Sequence, residues 1–233
     1  MNANMRKNAT RLLATICVAW SFCGNASAED STLPVERSDT RALARHDKLK
    51  TALRTIRDPD VLLIGDSIAQ QWRKSDAAKA FGTRLIFNLG VGGDKTENVI
   101  WRMNNMPLNE IAPKFVIILA GTNNLGAGDT PNDIAAGVEE IARKSRQAWP
   151  GAHIRVVNLL PRGEQYRFRE ADREEVNREL AASSAVIGYR FVETDDNALT
   201  CQWKQPCLNY SPDRLHLSPE GYNLLAKQIT ASP

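Results

Sequence analysis

Ser67 stands in Gly65-Asp66-Ser67, directly after the apolar run Val61-Leu62-Leu63-Ile64. Far downstream, Asp213 and His216 lie three residues apart in Asp213-Arg214-Leu215-His216-Leu217. A serine at a strand end can serve as a nucleophile, a histidine as the base that takes its proton, and a carboxylate as the group that orients the base. The reaction such parts could run is ester hydrolysis through an acyl-enzyme.

Singly, these residues say little. Gly-Asp-Ser is a common turn, and most serines there are caps or turn residues. The base is the discriminating part. The chain has three histidines. His46 lies on a polar helix before the first strand and is expected to be solvated. His153 begins a strand, at the end where a site is not expected. His216 alone has an acid at a short, fixed spacing, so one loop could aim its ring, with Asp213 accepting from Nδ1–H and Nε2 facing Ser67. The bland reading of Asp213 and His216 is a helix-start turn with satisfied side chains, and taken alone it would be favoured.

Two further segments weigh on the choice. Asn88-Leu89-Gly90-Val91-Gly92-Gly93-Asp94 follows the second apolar run, and Gly121-Thr122-Asn123-Asn124 follows the third. A tetrahedral intermediate needs hydrogen-bond donors where its oxyanion forms. Glycine lets a backbone N–H approach closely, and an asparagine amide can add a donor. Turn geometry explains the glycines equally well, but a phosphate cradle fits poorly: no G-x-x-x-x-G-K-[ST] is present and the G-x-G-x-x-G spacing is wrong.

The elements that must position these residues alternate. Strands are expected at Val61–Ile64, Leu85–Phe87, Phe115–Leu119, His153–Leu159 and Tyr189–Val192. Helices are expected at about Asp39–Arg57, then Ile68–Lys74, Thr96–Asn104, Pro131–Ala148, Phe168–Ile187 and Pro219–Thr230. Thr130, Pro131 and Asp133 sign one helix start, with Ile134, Val138 and Ile141 on one face; Ser218 and Pro219 sign another. Near-continuous apolar strands between amphipathic helices imply a three-layer α/β/α domain around a five-stranded parallel, doubly wound, flavodoxin-like sheet. In such folds ligands bind outside the carboxyl ends of the strands. Ser67, Gly93 and Asn123 all fall just past strand ends.

Four blocks in order, Gly-Asp-Ser with Ser67, the glycine block with Gly93, Gly-Thr-Asn with Asn123, and Asp213-x-x-His216, resemble the SGNH/GDSL hydrolases over about residues 61–217. Within that family, Gly92-Gly93-Asp94, Ile100-Trp101-Arg102, Gly121-Thr122-Asn123-Asn124 and Leu159-Leu160-Pro161-Arg162-Gly163-Glu164 are most similar to the catalytic subunits of the intracellular platelet-activating-factor acetylhydrolase type. The resemblance implies Ser67 as nucleophile, Asp213 and His216 completing a triad, and an oxyanion hole of Ser67, Gly93 and Asn123. Lys95 stands where that subgroup usually has a hydroxyl residue. Ile68, Thr122 and Leu215 adjoin the matched residues, and bulk there would favour a short acyl group, acetyl above all. The expected activity is a serine esterase acting on short-chain esters without a cofactor. The alternatives are a carbohydrate O-acetylesterase, a lysophospholipase or thioesterase, and a noncatalytic glycan- or lipid-binding module.

The N-terminus reads as a leader rather than as fold. Arg6, Lys7 and Arg11 precede the apolar stretch Leu12–Phe22, which is too short to span a bilayer as a helix, and Ala26-Ser27-Ala28 is a small-residue cleavage site. Cleavage after Ala28 and export to the periplasm or medium are expected, leaving 29–233 as a single domain with no integral membrane segment. Lys+Arg then falls from 30 to 27 against 27 Asp+Glu. The basic balance therefore belongs to the leader and does not point to nucleic acid. The mixed-charge stretch Arg162–Arg178 is expected to be a solvated helix. Cys201 and Cys207 are expected to form a local disulfide, worth roughly 2 kcal/mol, in an oxidising compartment, and no histidine cluster accompanies them to make a metal site. The oligomeric state is not legible.

Overall fold

A computed structural model describes residues 30–231 except Arg57 and Arg84. The leader and its cleavage site therefore lie outside the described residues. No helix among those described is long and apolar enough to cross a membrane.

In chain order the elements are α1 (Thr40–Leu53), β1 (Val61–Gly65), α2 (Ser67–Gln71), α3 (Lys74–Ala80), β2 (Ile86–Asn88), α4 (Thr96–Asn104), β3 (Phe115–Leu119), α5 (Thr122–Ala127), α6 (Pro131–Ala148), β4 (His153–Val157), α7 (Glu170–Ile187), β5 (Arg190–Val192), α8 (Asp196–Leu199) and α9 (Pro219–Ala231). The strands form one five-stranded sheet in the order β2-β1-β3-β4-β5, and each neighbouring pair is parallel. This is the expected three-layer α/β/α architecture. The strand order reverses between β1 and β3, which places the crevice for a ligand at their carboxyl ends.

Strand alternation divides the core in two. Leu62, Ile64, Val116, Ile118, Ile154 and Val156 face one way, onto buried residues of α1, α4, α6 and α7. Val61, Leu63, Ile117, Leu119, Val157 and Val192 face the other, onto α2, α3 and α9. Both sides of β1 are buried throughout, which is why its sequence reads as an unbroken apolar run rather than an alternating one.

The capping signals hold. The Asp133 N–H donates to Thr130 Oγ1 at 3.2 Å and the Gly221 N–H to Ser218 Oγ at 3.1 Å. The segment expected as one helix over Ile68–Lys74 is instead two, α2 and α3, broken where Trp72 takes an extended ψ of 103°. Trp72 turns inward, 1% exposed, against Tyr222 (5.4 Å between ring centroids) and Phe81 (5.6 Å). Its tertiary burial overrides continuation of the helix. β4 stops at Val157, short of Leu159, because the Leu159 N–H donates to Asn177 Oδ1 at 2.8 Å rather than to a strand.

Two surface expectations are corrected. His46 is only 4% exposed and packs on Trp101 with centroids 4.9 Å apart. Burial pushes its imidazole pKa down, with Arg102 adding to the effect. The Arg162–Arg178 stretch is not a solvated helix throughout. The helix begins only at Glu170, and Arg173, 2% exposed, is paired with Glu170 and Asp196 at 2.7 and 2.8 Å.

Candidate active site

The nucleophile candidate sits on a sharp strand-to-helix turn. Gly65 ends β1 at φ +146°, and a Cβ there would lie 1.7 Å from the Leu119 carbonyl oxygen, so only glycine fits. Asp66 follows as the cap of α2, accepting from the Ile68 N–H at 2.8 Å, and Ser67 is the first helical residue. Tyr222 of α9 donates its hydroxyl to the Ile68 carbonyl at 2.7 Å, pinning this helix start from the C-terminal end of the chain.

The base arrives on the loop before α9. An antiparallel bridge joins Tyr210 and Leu217, and Ser211 N–H donates to the His216 carbonyl at 2.8 Å. The loop is tied to the segment after β4 by Gly163 N–H to Arg214 O (2.8 Å) and by the Tyr210 hydroxyl to Pro161 O (2.7 Å). The Cys201–Cys207 disulfide, with an S–S distance of 2.01 Å, closes the segment just upstream.

This framework places His216 Nε2 2.8 Å from Ser67 Oγ and His216 Nδ1 2.6 Å from Asp213 Oδ2. With the ring proton on Nδ1, as the carboxylate acceptor requires, Nε2 is free to accept from the serine hydroxyl. Asp213 Oδ1 also accepts from the backbone N–H groups of Leu215 (3.0 Å) and His216 (2.9 Å). Burial alone would raise the Asp213 pKa, but the hydrogen bonds from the His216 ring and the two N–H groups outweigh it and hold the carboxyl below its ordinary value.

Gly93 and Asn123 border the same rim. Gly93 has φ +79°. Among the described residues, neither its N–H nor that of Ser67 is bonded to a protein acceptor. Asn123 donates one amide hydrogen to the Asp94 carbonyl at 2.8 Å, which fixes its plane and leaves a second hydrogen for a ligand. Asp94 is fully buried and is gripped by Arg102, whose Nε and Nη2 donate at 2.8 Å each. Asn124, also fully buried, accepts from the Thr96 N–H at 2.9 Å and donates towards Ser31, Glu97 and Asp129.

Of the residues expected near the acyl group, Ile68 and Thr122 border one small space of about 10 Å³, shared with Asp66, Asn158, Leu119 and Leu160. Leu215 is not part of that lining and sits half-buried on the triad loop. Burial pushes the Asp66 carboxyl up to about 7; the Ile68 N–H and Arg162 oppose the rise, and Asp94 adds to it.

Two arginines that sequence reasoning did not place at the site are there. Arg37, from the irregular segment before α1, reaches Gly93 and pairs with Asp39 at 2.5 Å and Asp94 at 3.5 Å. Arg162 donates to Thr122 O at 2.8 Å and Oγ1 at 3.1 Å, fixing the first turn of α5, which carries Asn123, and its charge is felt by Asp66 and Asp213. The Leu-Leu-Pro-Arg-Gly block was a signal for Arg162. Nothing local signals Arg37.

Known proteins share this arrangement of chain and fold. The GDSL-like Lipase/Acylhydrolase family profile matches residues 63–224. Human platelet-activating factor acetylhydrolase IB subunit alpha2 is 30% identical over 195 residues, 83% of each chain. The bovine alpha1 subunit is 30% identical over 212 residues, covering 88% of this chain and 89% of the relative. A GDSL-like lipase from Bacteroides thetaiotaomicron superposes with a TM-score of 0.64 at 18% identity, over 80% of this chain and 96% of that one, and so shares the fold. The chain therefore belongs to the GDSL-like lipase/acylhydrolase family and is a carboxylic ester hydrolase.

Proposed function

We propose that the chain is an exported serine esterase that hydrolyses short-chain esters, acetyl esters above all, through an acyl-enzyme on Ser67. The observation that carries this reading is the continuous chain Ser67 Oγ, His216 Nε2, His216 Nδ1, Asp213 Oδ2, with links of 2.8 and 2.6 Å. In the proposed cycle His216 takes the hydroxyl proton as Ser67 Oγ attacks the ester carbonyl. The N–H groups of Ser67 and Gly93 and the free amide hydrogen of Asn123 receive the oxyanion. His216 then protonates the departing alcohol, and afterwards activates a water that releases the acid and restores the serine.

The short acyl preference is supported by the burial of Ile68 (5% exposed) and Thr122 (4% exposed), which adjoin Ser67 and Asn123 in the chain. It is also supported by the acetylhydrolase names of the relatives. Export is supported by the Arg6–Ala28 leader pattern and by the Cys201–Cys207 bridge. The deciding experiment assays the mature protein against p-nitrophenyl esters of increasing acyl length, with an acetylated polysaccharide alongside. Acetate should be turned over fastest and Ser67→Ala should be inert. Wild-type rates in Ser67→Ala would end the reading, and a steep preference for long chains would end the acetyl assignment. Mass spectrometry of exported protein should give an N-terminus at Glu29.

A further inference from the structure

At the rim opposite the candidate active site, the amino ends of β4 and β5 and the end of α6 enclose a recess of about 480 Å³. Arg146, His153, Arg155 and Arg190 line it, together with Phe115, and no carboxylate is among its described lining residues. Arg155 and Arg190 are register partners on adjacent parallel strands. Like charges so placed repel.

Two of the guanidinium groups are already immobilised, and by neutral acceptors. Arg146 Nη1 donates to the Ala152 carbonyl at 3.3 Å. Arg155 Nη1 donates to the Ile229 carbonyl, and its guanidinium carbon lies 5.3 Å from the centre of the Phe115 ring, on which His153 also stacks at 5.2 Å. A carbonyl fixes a guanidinium in place without cancelling its charge. The side-chain entropy of binding is thus partly spent in advance, while the field stays positive. Burial, and after it the neighbouring Arg190, lower the Arg155 pKa.

We propose that this recess is a binding site for a phosphate-class oxyanion, held in the fork geometry that guanidinium groups offer such groups. The site is independent of the ester chemistry at Ser67. Its natural ligand is either a soluble phosphate ester or a phospholipid headgroup.

The test uses the mature chain labelled with ¹⁵N. Sodium pyrophosphate is titrated against a chloride control of equal ionic strength, with amide shifts followed at residues 152–155 and 188–190. In parallel, the protein is sedimented with phosphatidylglycerol-containing vesicles and with pure phosphatidylcholine vesicles. Saturable shifts confined to those residues, weakened at least about tenfold in Arg146→Gln/Arg190→Gln, are the expected result. Both replaced side chains lie away from the core and from Ser67, so hydrolysis of p-nitrophenyl acetate should be unchanged in the double variant. Retention on the anionic vesicles alone, lost in the variant, assigns the headgroup; pyrophosphate binding without vesicle binding assigns a soluble ester. Absence of a saturable response to both probes, or a response the double variant leaves intact, overturns the proposal.

Discussion

Arg37 rests on Gly93: a Cβ added to that glycine would lie 3.0 Å from Arg37 Nη1. The glycine is also held at φ +79°, where an L side chain costs roughly 1–2 kcal/mol. Gly93→Ala should therefore lower thermal stability by about that amount. It should also cut kcat on p-nitrophenyl acetate by on the order of tenfold or more, since the N–H proposed to receive the oxyanion moves with the strained backbone. Unchanged kcat would remove Gly93 from the proposed oxyanion hole.

Asn123 offers a cleaner measurement, because its proposed role as a donor is separable from backbone strain. Its amide is oriented by the Asp94 carbonyl at 2.8 Å. Asn123→Ala should reduce kcat by on the order of 10²–10³ with a much smaller change in KM, the pattern of a contact made in the transition state alone. A loss confined to KM would place the amide on the bound substrate instead.

Asp213 tests the alignment of the base. The side chain is half exposed, so replacing it disturbs little packing. Asp213→Asn should fold normally and lose on the order of 10³–10⁴ in kcat, because an amide can donate to Nδ1 and so favour the wrong tautomer. Circular dichroism and rate measurement on the same sample separate the two effects.

Asp66 links stability to pH. Its carboxyl is pushed up to about 7 by burial, while an unfolded aspartate titrates near its ordinary value of 3.8. Between those values the native state binds the extra proton, so this group's contribution to stability declines as pH rises from about 4 to 7 and is level above. Asp66→Asn keeps an acceptor for the Ile68 N–H but cannot ionise. Relative to the parent it should gain on the order of 2–4 kcal/mol between pH 4 and pH 8 in urea unfolding. A stability difference that does not vary with pH would show that Asp66 is not protonated in the native protein.

Arg102 and Asp94 form a buried pair with side chains 4% and 0% exposed. Arg102→Met should destabilise by about 3–5 kcal/mol, the cost of stranding one buried charge. It should also slow catalysis, because the Asp94 backbone orients Asn123. A urea midpoint within error of the parent would mean that Arg37 alone satisfies the carboxylate.

Much of this was legible in the sequence for a reason that can be stated residue by residue. Ser67, Gly93 and Asn123 follow strands whose apolar runs are unmistakable, and parallel α/β folds gather such positions at one rim. His216 declared itself through Asp213, three residues away. What escaped reading depends on contacts between distant segments. His46 looks polar by its neighbours, yet Trp101, 55 residues later, covers it. Arg37 and Ser31 lie in a stretch without periodicity, and their importance exists only once Gly93 and Asn124 are beside them. The helix break at Trp72 follows from Tyr222, at the other end of the chain.

The sheet is finished at Val192, whereas the imidazole that reaches Ser67 comes 24 residues later on a loop outside it. Scaffold and reagent are thus separable assets. A nick anywhere between Pro206 and Asp213 would spare every strand, and could silence the enzyme without dismantling it.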